Sequence, residues 1–213
     1  MSPDAAPRRQ RRSAAEHRTD VLVAARRLFA EQGFHATGTR ELAAAADIND
    51  GLLYRFFANK EAILAALVDE AIAAFAALPQ LLADRHVEEA SAAELLELVG
   101  TAFVAVATER VDLLTLLISE HQTLAEDHRF ASFIHVSATG LGARLDILTG
   151  TGDGYLTARA FMGSMVAFVL LQNVLGLGAV QPIEPARYIR HLATTIGQGL
   201  QPPLADNEGY EPE

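Results

Sequence analysis

GFHATGTRELAAAADINDGLLYRFFANKEAIL, residues 33–64, predicts two short helices separated by a tight turn. The first helix covers residues 37–46, and residues 47–49 form the turn. Asn49 can cap the second helix, residues 50–56, because its side-chain oxygen can accept a hydrogen bond from a free backbone N–H. This stretch therefore contains a pair of helices fixed by local signals.

The flanking helices carry their own start and stop signals. Residues 18–32 place apolar side chains on one helical stripe. Gly33-Phe34 predicts a helix stop, in which a left-handed glycine is followed by an apolar contact back onto the helix. After the pair, Asn59 can cap a helix that begins at Lys60 and continues to about residue 78.

Two short helices joined by a three-residue turn and braced by a longer helix make a helix-turn-helix. In nucleic-acid-binding proteins this motif places its second helix in the major groove of DNA. The same geometry also occurs at ordinary corners of helical bundles. The pattern alone leaves both interpretations open.

Composition predicts an all-α protein for the whole chain. Half of the 213 residues are apolar, with alanine and leucine most common. Residues that favour strands are sparse. The chain has no cysteine, which excludes disulfides, thiolate metal sites and cysteine nucleophiles. Such a composition fits a reducing compartment, and we predict a cytoplasmic protein.

Charge is distributed unevenly along the chain. Residues 1–70 hold ten basic and ten acidic side chains, whereas residues 71–213 hold seven basic and seventeen acidic ones. The formal net charge of −10 therefore belongs to the second part. A polyanion would be tolerated only at the N-terminal end.

Over residues 33–64 the chain resembles the TetR (tetracycline repressor) family of bacterial transcription regulators, with no gap in the spacing. Many positions of several residue types agree at once. They are Gly33, Phe34, Thr37, Leu42, Ala43, Ala46, Ile48, Gly51, Leu53, Tyr54, Phe57, Lys60, Glu61 and Leu64. The resemblance is strong over about residues 18–68, and beyond them only the order and length of the helices agree.

This resemblance implies an all-α homodimer with two functional parts. An N-terminal helix-turn-helix would bind a palindromic operator in double-stranded DNA. A larger C-terminal domain would bind a small-molecule effector, which usually releases the operator. No cofactor is implied.

The resemblance also implies which residues contact DNA. They lie in the two short helices, in the turn and at the start of the next helix: Thr39, Arg40, Asn49, Asp50, Gly51, Leu52, Tyr54, Arg55 and Lys60. Tyr54 would give its hydroxyl to a phosphate, and Arg55 would bond guanine or hold a phosphate. Lys60, the only lysine, stands at a helix N-terminus where a cation is unfavourable, and a bound phosphate would offset this.

Four residues depart from the usual family pattern. Gly38 removes a phosphate-bonding hydroxyl, and Phe56 replaces a histidine or tyrosine. Asp50 repels phosphate but could accept a hydrogen bond from cytosine. Asp47 replaces a turn glycine, although aspartate tolerates the left-handed region. Affinity and operator sequence are the properties that these changes affect.

Four segments are predicted, with about nine helices in all. Residues 1–17 form a disordered basic arm, residues 18–62 the helix-turn-helix domain, residues 63–200 the effector-binding and dimerisation domain, and residues 201–213 a flexible tail. The arm carries Arg8, Arg9, Arg11 and Arg12, which would either enter a minor groove or only increase solubility.

A ligand pocket is expected between the helix from Lys60 and the helices that follow. Its predicted walls are mostly apolar, as is usual for small-molecule sites. They comprise Phe75, Leu78, Phe103, Val106, Leu117, His121, Phe130, Phe133, Ile134, Phe161, Met165, Phe168 and Gln172. An apolar or amphipathic effector follows from these side chains.

Residues 160–183 carry no charge, which indicates burial on all sides. Polar side chains and glycines within this segment argue against a membrane span. Packing against a second subunit explains the pattern, together with the last helix. The predicted dimer interface comprises Val166, Leu170, Asn173, Val174, Leu177, Tyr188, Ile189, Leu192 and Ile196.

Other patterns do not support an enzyme or a metal protein. His121, His128 and His135 repeat every seven residues, but on one helix each step spans about 10 Å, too far for one ion. Residues 150–154, GTGDG, lack the strand and lysine of a phosphate loop and predict a helix connector. The alternative to a DNA-binding repressor is a helical dimer that binds a ligand or protein and has lost specific DNA binding.

Overall fold

The computed structural model describes residues 12–76 and 90–200, and within these ranges it contains ten α-helices and no strand. The predicted all-α fold is confirmed. Contacts divide the chain into two units, the first ending at Leu67 and the second beginning at Val68. The predicted arm residues Arg8, Arg9 and Arg11, the pocket residue Leu78 and the tail lie outside the described residues.

The first unit contains three helices and the start of a fourth. They are α1 (Ala14–Gln32), α2 (Thr39–Ala45), α3 (Asp50–Phe56) and α4 (Lys60–Phe75), with the boundary of the unit inside α4. Residues 18–62 were expected to form this domain, but α1 begins earlier. Ser13 and Glu16 make a capping box that starts the helix at Ala14, so the prediction of disorder up to residue 17 is wrong.

Local chemistry explains how α1 ends. Gly33 has φ 85° and ψ 157°, so φ is positive as predicted, although ψ lies outside the left-handed helical region. Phe34 then turns back, and its ring meets the edge of Phe29 with centroids 5.2 Å apart. The backbone carbonyl of Gly33 also accepts a 2.8 Å hydrogen bond from the Thr37 hydroxyl. The chain thus reverses into α2 through a short, satisfied connection.

The second unit contains the remaining helices and a π-helical turn. They are α5 (Ala92–Glu109), α6 (Val111–Ser119), α7 (Arg129–Thr149), α8 (Gly154–Val169), the π turn (Leu170–Val174), α9 (Leu177–Val180) and α10 (Pro185–Gly199). Ser91 and Glu94 form the predicted capping box of α5, and backbone and side-chain hydrogen bonds from Ser91 lower the pKa of the Glu94 carboxyl. Residues 150–153 connect α7 to α8, so the predicted connector at 150–154 is one residue too long because Gly154 already begins α8.

Helix α5 packs against α8 and α10, and α7 packs against α8. Two glycines permit the closest approaches. A Cβ at Gly100 would lie 2.8 Å from Ile189 and from Phe161, and one at Gly142 would lie 2.6 Å from the backbone nitrogen of Tyr155. The core between these helices includes Leu95, Phe161 and Met165, each at most 1% exposed.

By length and composition, the helical stretch Gly154–Val174 is apolar enough to cross a membrane, and it is the one such stretch among the described residues. Core helices of soluble proteins pass the same test. Here one side of α8 carries the buried Phe161, Met165 and Phe168, while Leu156 on the other side is 65% exposed.

Candidate nucleic-acid interface and apolar cavity

The turn between α2 and α3 has the geometry that the sequence predicts. Asp47 takes φ 55°, the one non-glycine residue with positive φ in the described ranges. Asn49 then caps α3 by accepting a 2.8 Å hydrogen bond from the backbone N–H of Leu52. Leu53 is fully buried, whereas Tyr54 and Arg55 are exposed. Helix α3 is therefore anchored on one side and presents polar groups on the other.

Two hydroxyl groups meet on this exposed surface. The Tyr54 hydroxyl lies 3.2 Å from the hydroxyl of Thr39, the first residue of α2. Tyr54 is 52% exposed although its hydroxyl is engaged. The pair links α2 to α3 and places two groups that can bond a phosphate beside each other.

Arg40 and Asp50 form an ion pair on the same surface, with 3.5 Å between Nε and the carboxylate oxygen. The side chain of Arg40 is 93% exposed, so water screens the attraction and Arg40 can leave Asp50 at little cost. Asp50 thus competes with any phosphate that Arg40 would bind. Gly51 beside it is exposed, and an added Cβ would lie 3.3 Å from the Asn49 side chain.

The sequence led us to expect that Lys60 faces outward to a phosphate, but in the structure it faces the protein. Its ammonium group donates to the backbone carbonyls of Phe34, His35 and Thr37 at 2.7, 3.3 and 3.0 Å. It also lies 4.4 Å from the centroid of the Phe34 ring. A lysine has three N–H donors, and all three are used within the unit. The cation that is unfavourable at the start of α4 is stabilised by carbonyls of the α1–α2 connection.

A further basic group near the turn is Arg12, the one arm arginine within the described residues. Its guanidinium forms a 3.1 Å ion pair with Asp20 and lies 4.0 Å from Asp47. It is therefore held beside α1 and the turn rather than free in an extended arm.

The second unit encloses a cavity of about 530 Å³. Its walls include the stacked pairs Phe75–Phe103 and Phe130–Phe133. The full lining comprises Phe75, Phe103, Leu114, Leu117, Ile118, His121, Phe130, Phe133, Ile134, Ser137, Arg159, Met162, Gly163 and Val166. Its size falls within the range of about 300–1,000 Å³ usual for small-molecule sites.

Several residues predicted for the pocket lie elsewhere. Phe161, Met165 and Phe168 are buried in the core, and the side of α8 that meets the cavity carries Arg159, Met162, Gly163 and Val166 instead. Because α8 is apolar on nearly every side, its periodicity did not reveal which side faces the cavity.

Two other predicted pocket residues are also engaged elsewhere. Val106 packs against the core. The Gln172 side chain accepts a 3.3 Å hydrogen bond from the backbone N–H of Ile183. Neither residue lines the cavity.

Three polar residues line the cavity, and only His121 was expected there. His121 Nδ1 lies 3.0 Å from the carbonyl of Ile118. Since a carbonyl only accepts, Nδ1 carries the proton. Ser137 and Arg159 were missed. The sequence did single out Arg159, because it is the last charged residue before the uncharged residues 160–183.

The predicted dimer residues divide into exposed and enclosed groups. Val174 and Leu177 are 40% and 36% exposed. Ile189 is 2% exposed and contacts α5 in its own chain, so it is not available to a partner. Tyr188 stacks on Phe168 with centroids 4.5 Å apart.

The other interface residues are partly covered within the chain. Leu170, Leu192 and Ile196 pack partly against the core, as does Val166 at the cavity wall. Asn173 is exposed, and its amide donates to the carbonyl of Val169 at 3.0 Å.

The three histidines of the seven-residue pattern have separate surroundings. His128 precedes the first residue of α7, and His135 lies 3.1 Å from the Tyr155 hydroxyl. Across residues 12–76 and 90–200, no group of three or more potential ligands could hold a metal ion.

Comparison with known proteins agrees with the geometry of the first unit. The family model described as bacterial regulatory proteins, tetR family, matches residues 21–67. Over these residues the chain is similar to members of that family. The match covers residues 21–32 of α1, all of α2 and α3, and the first half of α4, and so includes the exposed surface of α2 and α3 described above.

Two HTH-type regulators show how far the similarity in sequence extends. The chain is 39% identical over 51 residues to the HTH-type transcriptional regulator UidR of Escherichia coli strain K12, covering 24% of this chain and 26% of UidR. It is 43% identical over 49 residues to an HTH-type transcriptional repressor of Mycobacterium tuberculosis strain H37Rv, covering 23% of this chain and 26% of the repressor. Each match spans about a quarter of the relative's length.

The similarity in fold extends over more of the chain. The structure of the TetR family regulator PfmR from Thermus thermophilus superposes with a TM-score of 0.67 at 23% identity, covering 85% of this chain and 99% of PfmR. At this identity the likeness concerns the fold.

Proposed function

We propose that the protein is a DNA-binding transcriptional regulator of the TetR type, and a repressor rather than an enzyme. The observation that carries the proposal is the polar surface of α3. Leu53 anchors the helix, Asn49 caps it, and Tyr54 and Arg55 remain exposed. A short helix held in this way is suited to enter a major groove.

The proposed DNA contacts follow from this surface, with one change from the sequence-based expectation. Tyr54, Thr39 and Arg40 would hold phosphates, and Arg55 with Gly51 would approach the bases. Lys60 is omitted because its donors are already engaged. Two copies of the motif in a homodimer would bind a palindromic operator, with half-sites about one helical turn apart.

The second unit supports the proposed effector and dimer roles. Its cavity of about 530 Å³ has apolar walls that suit a small apolar or amphipathic molecule. Exposed apolar side chains continue from α8 into the π turn and beyond, among them Leu171 at 42% and Leu175 at 71%. A second subunit in the cytoplasm would cover them. Effector binding would release the operator.

Fluorescence anisotropy with DNA from upstream of the protein's own gene tests the proposal, with a random duplex as control. Wild type should prefer the upstream DNA and lose affinity steeply as salt rises. Tyr54→Ala and Arg55→Ala should both weaken this binding. Equal, weak binding of both duplexes, unchanged in the variants, would contradict a repressor of that promoter.

The alternative is a helical dimer that has lost specific DNA binding. The internal use of Lys60 favours it, because it removes one cation from phosphates, and Asp50 competes with phosphate for Arg40. Selection of binding sites from random DNA separates the two functions. An enriched palindrome supports the regulator, and no enrichment supports the alternative.

A further inference from the structure

We infer that the cavity of the second unit binds an amphiphile with one anionic head group, and that Arg159 is the partner of that group. The inference rests on the proposed effector role of the cavity. It adds the charge of the ligand to the apolar character already described.

Arg159 is the one charged side chain among the described residues that line the cavity. It is also exposed, so it stands where the cavity opens to solvent. The rest of the lining is aromatic and aliphatic, apart from His121 and Ser137. This arrangement fits a molecule with an apolar body inside and a charged end at the opening.

Three other arginines of the second unit are paired with carboxylates. Arg110 lies 3.5 Å from Glu70, Arg190 lies 3.2 Å from Glu97, and Arg129 lies between Asp69 and Asp127. Arg159 makes no hydrogen bond or ion pair within the described parts of the chain. Arg159 is thus a cation at the mouth of an apolar cavity that has no carboxylate partner, although the segment around it is rich in acidic residues.

Ser137 provides a second, independent sign of a missing polar partner. Serine and threonine in helices commonly bond the carbonyl four residues earlier, and Thr139 on the same helix does so at 2.8 Å from His135. The Ser137 hydroxyl is buried and has no partner within the described residues. Buried hydroxyls are rarely left unsatisfied, so a ligand atom is expected to complete this one.

His121 adds a group that can accept a hydrogen bond. Its Nδ1 proton is directed to the carbonyl of Ile118, so the neutral ring has Nε2 free to accept. His121 therefore offers no donor to an anion, and the donors open to a carboxylate or phosphate are the Arg159 guanidinium and the Ser137 hydroxyl. The acidic excess of residues 71–213 repels free anions, which makes a local cation necessary for their capture.

Calorimetric titration of the full chain tests the head group with four probes that share a ten-carbon chain. They are decanoate, decyl phosphate, 1-decanol and decyltrimethylammonium. We expect both anions to bind about tenfold or more tightly than the alcohol, because charge-assisted hydrogen bonds are the strong ones. The cation should bind weakest. Tighter binding of decanoate or of decyl phosphate identifies the anion that the site prefers.

Three variants assign the effect to the cavity. Arg159→Gln should remove the preference for anions over 1-decanol, while Arg187→Gln, an exposed arginine of α10 away from the cavity, should keep it. Gly163→Leu should block all the probes, because a Cβ at Gly163 meets nothing within 4 Å and the added side chain enters the cavity.

The outcomes separate this inference from the proposed function. If 1-decanol binds as tightly as decanoate, or Arg159→Gln keeps the preference, the head-group inference is overturned and the apolar cavity stands. If none of the four probes binds, both the inference and the effector role for such amphiphiles fall. DNA binding measured without any probe tests the regulator role separately.

Discussion

The ammonium nitrogen of Lys60 lies 2.7 Å from the backbone carbonyl oxygen of Phe34 and 4.4 Å from the centroid of the same residue's ring. One side chain at the start of α4 thus closes the connection between α1 and α2. The positions of α2 and α3 depend on this connection, so Lys60 supports the proposed DNA-binding surface from within the first unit.

Lys60→Met should destabilise the first unit by about 1–3 kcal/mol, because three carbonyls lose a charged donor. Hydrogen exchange of amides in residues 34–42 should accelerate in the full chain. Arg55→Met, which removes an exposed charge from α3, is the control and should leave exchange unchanged. If hydrogen exchange is unaltered in Lys60→Met but affinity for DNA of every sequence is lost, Lys60 instead contacts a phosphate.

Asp50→Asn should increase DNA affinity several-fold, because it frees Arg40 from the carboxylate 3.5 Å away. If Arg40 then contacts one more phosphate, the log–log slope of affinity against salt becomes steeper by about 0.9. Glu61→Gln removes one negative charge from the exposed surface of α4 and serves as the control. An equal gain in both variants would show only a general effect of charge.

Tyr54→Phe should weaken DNA binding about tenfold or more on all sequences, the value of one hydrogen bond to a charged phosphate. Stability should change by less than about 0.5 kcal/mol, because the hydroxyl lies on the surface and the ring is retained. Anisotropy and thermal unfolding measure the two quantities. Tyr188→Phe, in the second unit, should alter neither DNA affinity nor its salt dependence.

Ser137→Ala should stabilise the ligand-free protein by about 1 kcal/mol, because it removes a buried hydroxyl that has no partner within the described residues. The matched control is Ser164→Ala on α8, whose hydroxyl already bonds the carbonyl of Ala160 at 2.9 Å. Thermal unfolding should distinguish them. A midpoint that falls equally in both variants would mean that the Ser137 hydroxyl is satisfied.

Gly142→Ala should destabilise the second unit by about 1–3 kcal/mol through overpacking, because the added Cβ would meet the backbone of Tyr155 at 2.6 Å. Gly163→Ala should be neutral or stabilise by up to about 1 kcal/mol, since that Cβ meets nothing within 4 Å. Both glycines are helical, so the difference in denaturant midpoint isolates the packing of α7 on α8. Similar midpoints would argue against this close approach.

Helix ends and turns that depend on a few neighbouring residues could be predicted from the sequence. Residues 50–56 were predicted as a helix and are Asp50–Phe56 in the structure, because Asn49 caps the segment directly. The left-handed turn at Asp47 was anticipated for the same reason. The late start predicted for α1 came from overlooking Ser13 and Glu16, a capping box that is visible in the sequence.

Side-chain partners and helix orientations that depend on tertiary contacts could not be predicted from the sequence. The charge of Lys60 was correctly seen as needing a partner, but the carbonyls that stabilise it lie more than 20 residues earlier in the chain. The orientation of α8 could not be derived either, because apolar residues surround it. Met162 faces the cavity and Met165 the core, although the sequence treats the two alike.

Because Lys60 is the only lysine, the chain contains a single side-chain primary amine, and its three donors are occupied. Amine-directed acylation of a side chain therefore requires the α1–α2 connection to open. The rate of that modification, followed by mass spectrometry, reports how often the first unit loosens. An intrinsic probe of local opening is thus built into the chain without any engineered label.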